Sequence, residues 1–403
     1  MPIRQRASIN GVEVLELTTN MLFVGPQVAS PELKFHSAEI IVPNMSAWLS
    51  HKPFDRQLDR SDGNWISSAN HTTSTHFDGF VPDPSGGFRL ELSNIGTTGA
   101  DEDRYELINT EMISIRPRAK KDAEYYIAKS FQLMQFFSLF SKQPFEVGSM
   151  VLREKKSRSR KSELTDPHFA VIWNRKRAFT NASHSRKEIL FSQSDVSTRI
   201  RLMLRRFFST NVGLSTAITL FHAVKLNPLT SDLKLLLLVQ AYEAAFSEKS
   251  SGKIVSKTKY RRIKKSMLEA IPSEDLKSSP ELEEAMRRSL GHANSRTLRE
   301  KMTLQISEMD DPVVQSVFLS DPADAIRSIV DTRNYITHRS ESSRTRYVEL
   351  GPKLTNMTES LTWLLWYLIL TDLGVAKRQL SRKINEGREF KEENRDRIRI
   401  VDR

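Results

Sequence analysis

The hydrophobic pattern changes period part-way along this chain, and that change limits what the chain can fold into. In the first half, Val12–Val24, Phe35–Val42, Phe88–Ile95 and Tyr105–Ile115 combine β-branched or aromatic residues with partial alternation, the signature of strands. Pro82-Asp-Pro-Ser-Gly-Gly87 is a turn cluster between them. One helical segment interrupts the strands: over Lys120–Lys142, Tyr126, Phe131, Met134, Phe137 and Phe140 are placed for one buried face. Phe145–Leu152 and His168–Trp173 read as further strands, separated by the basic run Arg153–Lys161, which reads as a loop. From about residue 196 the spacing is helical to the end. The expected helices are Val196–Val224, Ser231–Phe246, Lys257–Ala270, Pro280–Met286, Ser295–Glu308, Pro322–Arg339 and Tyr347–Leu373, punctuated by prolines at or near several starts. The reading is an α+β chain: a β-rich domain over 1–195, an all-α bundle over 196–376, and a charged segment over 377–403, either a solvated helix or a mobile tail.

Charge separates the two halves as well. Residues 1–150 carry 14 Lys and Arg against 18 Asp and Glu, while residues 151–403 carry 47 against 31, which accounts for the net charge of +12. The helical half is therefore the part that attracts a polyanion. The chain has no cysteine, so disulfides, thiol nucleophiles and thiolate metal sites are excluded. No signal-peptide pattern opens the sequence, and the most apolar run, Leu361–Val375, is too short and too polar, with Asp372 inside it, to span a bilayer. A cytoplasmic protein without membrane association is the expectation.

The chemistry concentrates in the run Asp331-Thr332-Arg333-Asn334-Tyr335-Ile336-Thr337-His338. On a helix turning about 100° per residue, Ile326, Ile329, Val330 and Ile336 form one stripe with Arg333 in its middle. An arginine on a core face is costly unless it is paired or faces an interface or cleft. Asn334 and His338 share the neighbouring face with Arg327 and Asp331. The step from Arg333 to His338 turns about 140°, so on a straight isolated helix the two side chains diverge. They converge on one phosphate only if the helix ends or bends near His338, or if two copies meet across a twofold axis.

The Arg-Asn-x-x-x-His pattern resembles the signature of the HEPN superfamily of helical ribonucleases. With the upstream segments Leu233–Phe246 and Asn294–Lys301, in that order, it is similar to the HEPN domain of the ApeA-like proteins, and a fainter similarity to the ApeA amino-terminal domain covers the first half. The resemblance implies an all-α HEPN bundle and an RNA endonuclease of prokaryotic anti-phage defence. It further implies an abortive role in which cellular RNA, tRNA being one class open to it, is cut once a phage-derived trigger is sensed. Arg333, Asn334 and His338 align with the motif that HEPN ribonucleases use, and a homodimer, or an assembly of dimers, is the expected state.

Cleavage of RNA without metal or other cofactor uses the ribose 2′-hydroxyl as nucleophile. It requires proton transfer, suited to His338, and stabilisation of phosphoryl charge, suited to the permanently charged fork of Arg333. Asn334 orients without titrating. Asp331 and Glu243 are auxiliary candidates, each more naturally a salt-bridge partner, Asp331 to Arg327 or Arg333. Lys257, Lys259, Tyr260, Arg261, Arg262, Lys264 and Lys265 form a basic run with one aromatic, fitted either to RNA contact and stacking or to a solvated helix face. Gly252-Lys253 lacks the rest of a P-loop, and His71 and His76 have no carboxylate or cysteine at metal spacing. The alternative function is a HEPN-fold module that binds RNA or protein without catalysis.

Overall fold

A computed structural model gives the fold and describes residues 3–9, 12–17, 21–24, 33–43, 45–49, 54–58, 65–69, 74–101, 104–154, 168–173, 188–247, 249, 252–271, 280–318, 321–338, 347–348 and 351–386. It divides into two compact units, residues 1–209 and 210–403.

The first unit holds strands β1 (Ile3–Ile9), β2 (Val12–Leu17), β3 (Met21–Val24), β4 (Ser37–Ile41), β5 (Phe54–Leu58), β6 (Trp65–Ala69), β7 (Ser74–Val81), β8 (Phe88–Asp101), β9 (Arg104–Pro117), β10 (Ser149–Arg153) and β11 (His168–Trp173). Seven of them form one antiparallel sheet in the order β3-β11-β10-β4-β9-β8-β7, and β1-β2 and β5-β6 are separate hairpins. Alternation sets the register. Met150 pairs with Ile40, Ile40 with Ile113 and Ile113 with Leu92, while Leu152, Ala38, Ile115 and Leu90 make a second row; all eight are buried. A slip of one residue would expose both rows.

Helices of this unit are α1 (Ser46–Leu49), α2 (Ala123–Ser138), α3 (Gln193–Val196) and α4 (Ile200–Phe208). Asp122 caps α2 by accepting from the Tyr125 N–H at 2.8 Å. Buried Phe136 and Phe137 on α2 meet Phe207 of α4 and Trp48 of α1 edge to face. Phe131, expected on the buried face, is 49% exposed, because it lies about 140° around the helix from Tyr126.

The second unit is helical: α5 (Val212–Leu226), α6 (Ser231–Phe246), α7 (Lys257–Glu269), α8 (Pro280–His292), α9 (Leu298–Ser307), α10 (Asp311–Val317), α11 (Pro322–His338), α12 (Pro352–Leu373) and α13 (Lys377–Glu386). The single helix expected over Val196–Val224 is broken instead. Asn211 caps a new start by accepting from the Leu214 N–H at 2.9 Å, an arrangement that competes with helix continuation. Helix α12 begins at Pro352, not Tyr347, and stops where Gly374 takes a left-handed φ of 103° and bonds back to the Leu370 and Thr371 carbonyls.

Helices α5, α6 and α12 pack together at the core of this unit, with Leu235, Leu238, Val239, Leu361, Leu364 and Leu365 buried. Gly213 permits the close approach of α5 to the end of α6, since a Cβ there would collide with the Ala244 carbonyl oxygen. A buried polar hub fixes α9 against this core: the Tyr242 hydroxyl donates to Gln305 Oε1, and Gln305 Nε2 donates to the Leu364 carbonyl at 2.8 Å. Helix α11 lies against α6 and α9. The charged segment from residue 377 begins as the docked helix α13, anchored by buried Leu380 and Ile384 against α10; residues 387–403 lie outside the described residues. Among the described residues, no single helix is long and apolar enough to cross a membrane.

Candidate active site

Helix α11 buries Ala325, Ile326, Ile329 and Thr332 and leaves Val330 and Ile336 half-buried, so the apolar stripe fades toward its carboxyl end. Arg333 sits where it fades. Its side chain is 28% exposed, its Nη2 lies 3.5 Å from Glu243 Oε2 on α6, and its Nη1 donates to Asn334 Oδ1 at 3.0 Å. The cost of placing a guanidinium on this face is met by a carboxylate and a carboxamide, one on each side.

The helix is held in place just before Arg333. Thr332 is fully buried, and its hydroxyl accepts from the Val348 N–H at 3.2 Å, tying the chain that follows back onto α11. The Thr337 hydroxyl donates to the Arg333 carbonyl at 2.8 Å, a back-bond of the kind that bends helices. His338 is the last described residue of the helix, and its side chain is exposed.

Asp331 is placed 3.8 Å from Arg299 of α9, while Arg327 pairs with Asp324 at 3.2 Å and Arg333 with Glu243. Asp331 thus has a partner on another helix, Arg299 of α9, that the pattern of its own helix does not predict. Lys301, on the same helix as Arg299, is 8% exposed. Burial pushes its ammonium below the ordinary lysine range, an effect that the charge of Glu243 opposes and that of Lys253 adds to. Glu243 therefore pairs with Arg333 and also acts by its charge on Lys301. Sequence reasoning passed over Lys301 and Arg299, although the signal for Lys301 was the one that singled out Arg333. The Thr297–Glu300 capping box starts α9, and Leu298, Lys301, Met302 and Gln305 then share its buried face.

The basic run divides by face. Lys257, Tyr260, Arg261 and Lys264 of α7 line a cavity of about 1020 Å³, whereas Lys259, Arg262 and Lys265 do not, and Lys265 pairs with Glu269 at 3.6 Å. Among the described residues, no group of three or more His, Cys, Asp or Glu is placed to hold a metal ion. His71 and residues 155–161 of the other basic run lie outside the described residues.

Residues 2–205 match the family ApeA N-terminal domain 1, just over half of the chain, and residues 236–379 match the family Apea-like HEPN. The second match contains Glu243, Lys301, Arg333, Asn334 and His338 together. The chain belongs to the ApeA-like HEPN proteins. The β-sheet unit followed by a helical unit is the arrangement of this family, and membership in the ApeA-like HEPN proteins points to a nuclease of HEPN type in anti-phage defence. No match was found among the curated proteins or the solved structures.

Proposed function

We propose that the helical unit is a metal-independent RNA endonuclease that cuts by attack of a ribose 2′-hydroxyl on the adjacent phosphate. The observation that carries this reading is the pairing of Arg333 with Glu243 and Asn334 on the helix that also presents the exposed His338. Arg333 is fixed in direction yet reachable, so a phosphoryl group approaching from solvent meets an oriented guanidinium fork. In this mechanism Arg333 stabilises the charge that accumulates on the phosphoryl oxygens, and His338 handles the proton leaving the 2′-hydroxyl or arriving at the 5′-oxygen. Asn334 and Glu243 are positioning residues that hold the fork, and Lys301 adds positive potential behind them.

The reaction needs an acid and a base, while one chain supplies a single histidine here. A homodimer through α11 would bring a second Arg333 and His338 to the same groove, and we take that as the working state. In the defence role, cellular RNA in the cytoplasm, tRNA included, is the substrate, and the amino-terminal unit restrains or releases the nuclease in response to a phage-derived trigger.

Incubating the purified protein with a labelled hairpin RNA in EDTA, beside the His338→Ala protein, tests the reading. Cleavage by the unaltered protein alone, undiminished by EDTA, is expected. Activity that vanishes in EDTA and returns with magnesium would contradict the metal-free mechanism.

A further inference from the structure

The cavity beside α7 is built from parts distant in sequence. Its walls come from the end of α6 and the segment after it (Ser247, Lys249), the 253–256 segment, one face of α7, and Gly291, Asn294 and Ser295 at and beyond the end of α8. The 252–255 segment is pinned to the 294–296 segment by a lattice of hydrogen bonds. The Ile254 N–H donates to the Asn294 carbonyl at 3.0 Å, the Val255 N–H to Asn294 Oδ1 at 2.9 Å, and Asn294 Nδ2 to the Val255 carbonyl at 2.9 Å. Asn294, 8% exposed, thus has both ends of its amide spent on holding the wall. On the opposite wall the Tyr260 hydroxyl donates to the Leu290 carbonyl, which fixes the ring in direction. The cavity is preformed.

Its lining is chemically one-sided. Lys249, Lys253, Lys257, Arg261 and Lys264 line it, and none of the described lining residues is acidic. Lys249 is taken by Asp372 at 2.6 Å, and Lys253 donates to Ser295 Oγ at 3.1 Å. Lys257 and Arg261 have no carboxylate partner among the described residues, although acidic residues are abundant elsewhere on the unit. Beside these cations lie apolar surfaces: Ile254, 54% exposed, with Val255 and the Tyr260 ring. A cationic rim next to a flat aromatic and an exposed aliphatic is what a phosphate joined to a base requires, because the phosphate needs cations while the base face needs apolar contact or stacking. The volume of about 1020 Å³ accommodates one such unit with its solvent, since small-ligand sites span roughly 300–1,000 Å³.

Charge links the cavity to the candidate active site. Lys253, in the cavity lining, acts by its charge on the Lys301 ammonium, as does Glu243, the partner of Arg333.

We propose that this cavity is a nucleotide subsite, separate from the bond-breaking residues, that holds one phosphate-and-base unit of the substrate RNA strand. The proposal rests on the ribonuclease reading for its choice of substrate, and the cavity walls carry the rest. The charge of α7 is thereby divided into two functional classes. Lys257, Arg261 and Lys264 contact the strand, while Lys259, Arg262 and Lys265 contribute only to the general field.

That division gives the test, because two double variants remove the same charge from the same helix. Binding of a fluorescein-labelled single-stranded RNA of mixed sequence is followed by anisotropy in the full-length His338→Ala protein, which keeps the probe intact. Combining this with Arg261→Ala and Lys264→Ala should weaken binding about tenfold and lower the salt slope by ~1.4, at ~0.7 for each phosphate no longer neutralised. Combining it with Lys259→Ala and Arg262→Ala should change affinity no more than about twofold, as for a change in the diffuse field alone. Thermal melts confirm that both proteins fold, all four side chains being at the surface or half-buried. In otherwise unaltered protein, the Arg261/Lys264 pair should raise KM and leave kcat nearly unchanged. Equal weakening by the two pairs, or no weakening by the first, would overturn the subsite. A nucleoside 5′-monophosphate that binds the unaltered protein more tightly than the RNA does would overturn the assignment to substrate. The two readings fail separately: a protein that never cuts RNA, yet binds it through Arg261 and Lys264, refutes the nuclease and keeps the subsite, and cleavage with unchanged KM does the reverse.

Discussion

Replacing Arg333 separates what this side chain does for the fold from what it does for chemistry, and the structure sets the two magnitudes apart. Its ion pair with Glu243 is 3.5 Å long, between side chains 28% and 36% exposed, so solvent screens much of the attraction. Such pairs contribute about 0.2–1 kcal/mol. The hydrogen bond to Asn334 adds about 0.5–1.5 kcal/mol. Arg333→Ala should therefore cost the fold about 1–2 kcal/mol, a loss that a domain of ordinary stability survives. Removing a preorganised donor to a developing oxyanion costs about 10²–10³ in rate, or about 2.7–4 kcal/mol. The rate loss thus exceeds what unfolding explains. Arg333→Lys sharpens the comparison: a lysine keeps the charge opposite Glu243 and most of the stability, but it is a point charge without the fork and should leave activity nearly as low as alanine does. Initial rates on a labelled hairpin RNA at equal protein concentration, with urea unfolding of each variant alongside, measure both quantities. If Arg333→Ala cuts within about threefold of the unaltered protein, or if Arg333→Lys restores full rate, the phosphate-clamp assignment is wrong. Unfolding of Arg333→Ala at assay temperature would instead make Arg333 a structural residue.

Three further outcomes follow from single features. Thr332→Val, close in volume, strands the Val348 N–H that the buried hydroxyl now satisfies, and urea unfolding should show a loss of about 1–3 kcal/mol. His222 is buried on α5 with no hydrogen-bond partner at Nδ1 among the described residues, and burial first, then the charge of Lys225, lowers its pKa from 6.5 to about 4. The unfolded chain then takes up this proton as pH falls through 6.5 while the folded chain does not until about 4. Stability is accordingly lost on acidification across that window, and between pH 7 and 5 the unaltered protein should lose roughly 2 kcal/mol more than His222→Leu in parallel urea titrations. A pH-independent difference between the two would show that His222 does not titrate as its burial requires. Mixing inactive His338→Ala with inactive Arg333→Ala should restore part of the RNA cleavage if the groove is shared across a twofold axis; a protein monomeric by light scattering at working concentration that cuts at full rate would remove the dimer from the account.

Much of the fold was legible because burial imposes periodicity. The rows through Ile40, Ile113 and Leu92 show as alternation, and the core helices α6 and α12 as dense apolar stretches. Strand β6 was not legible, since Trp65-Ile-Ser-Ser-Ala69 is short, half polar and paired only with β5. Helix α10 was missed for a different reason: Asp310-Asp311-Pro312 reads as punctuation, yet proline in the first turn with acidic neighbours is also how a helix begins. At the candidate site, Arg333 announced itself as a cation on an apolar stripe, and Lys301 carried the same mark. Glu243 as the partner of Arg333 is a tertiary fact, because α6 and α11 are joined only by the packing of the bundle. The cavity beside α7 depends equally on distant segments, with Asn294 bonding Val255 across the fold, and no local pattern encodes it.

Arg333 and His338, on this mechanism, break RNA through its own 2′-hydroxyl. The most direct measurement is the chemistry of the ends left on a defined single-stranded RNA after incubation with the purified full-length protein. Attack by the 2′-hydroxyl should leave a 2′,3′-cyclic phosphate, or the monophosphate from its opening, on one fragment and a 5′-hydroxyl on the other, with neither formed by His338→Ala. A 5′-phosphate with a free 3′-hydroxyl, or ends unchanged by the His338 substitution, would contradict it.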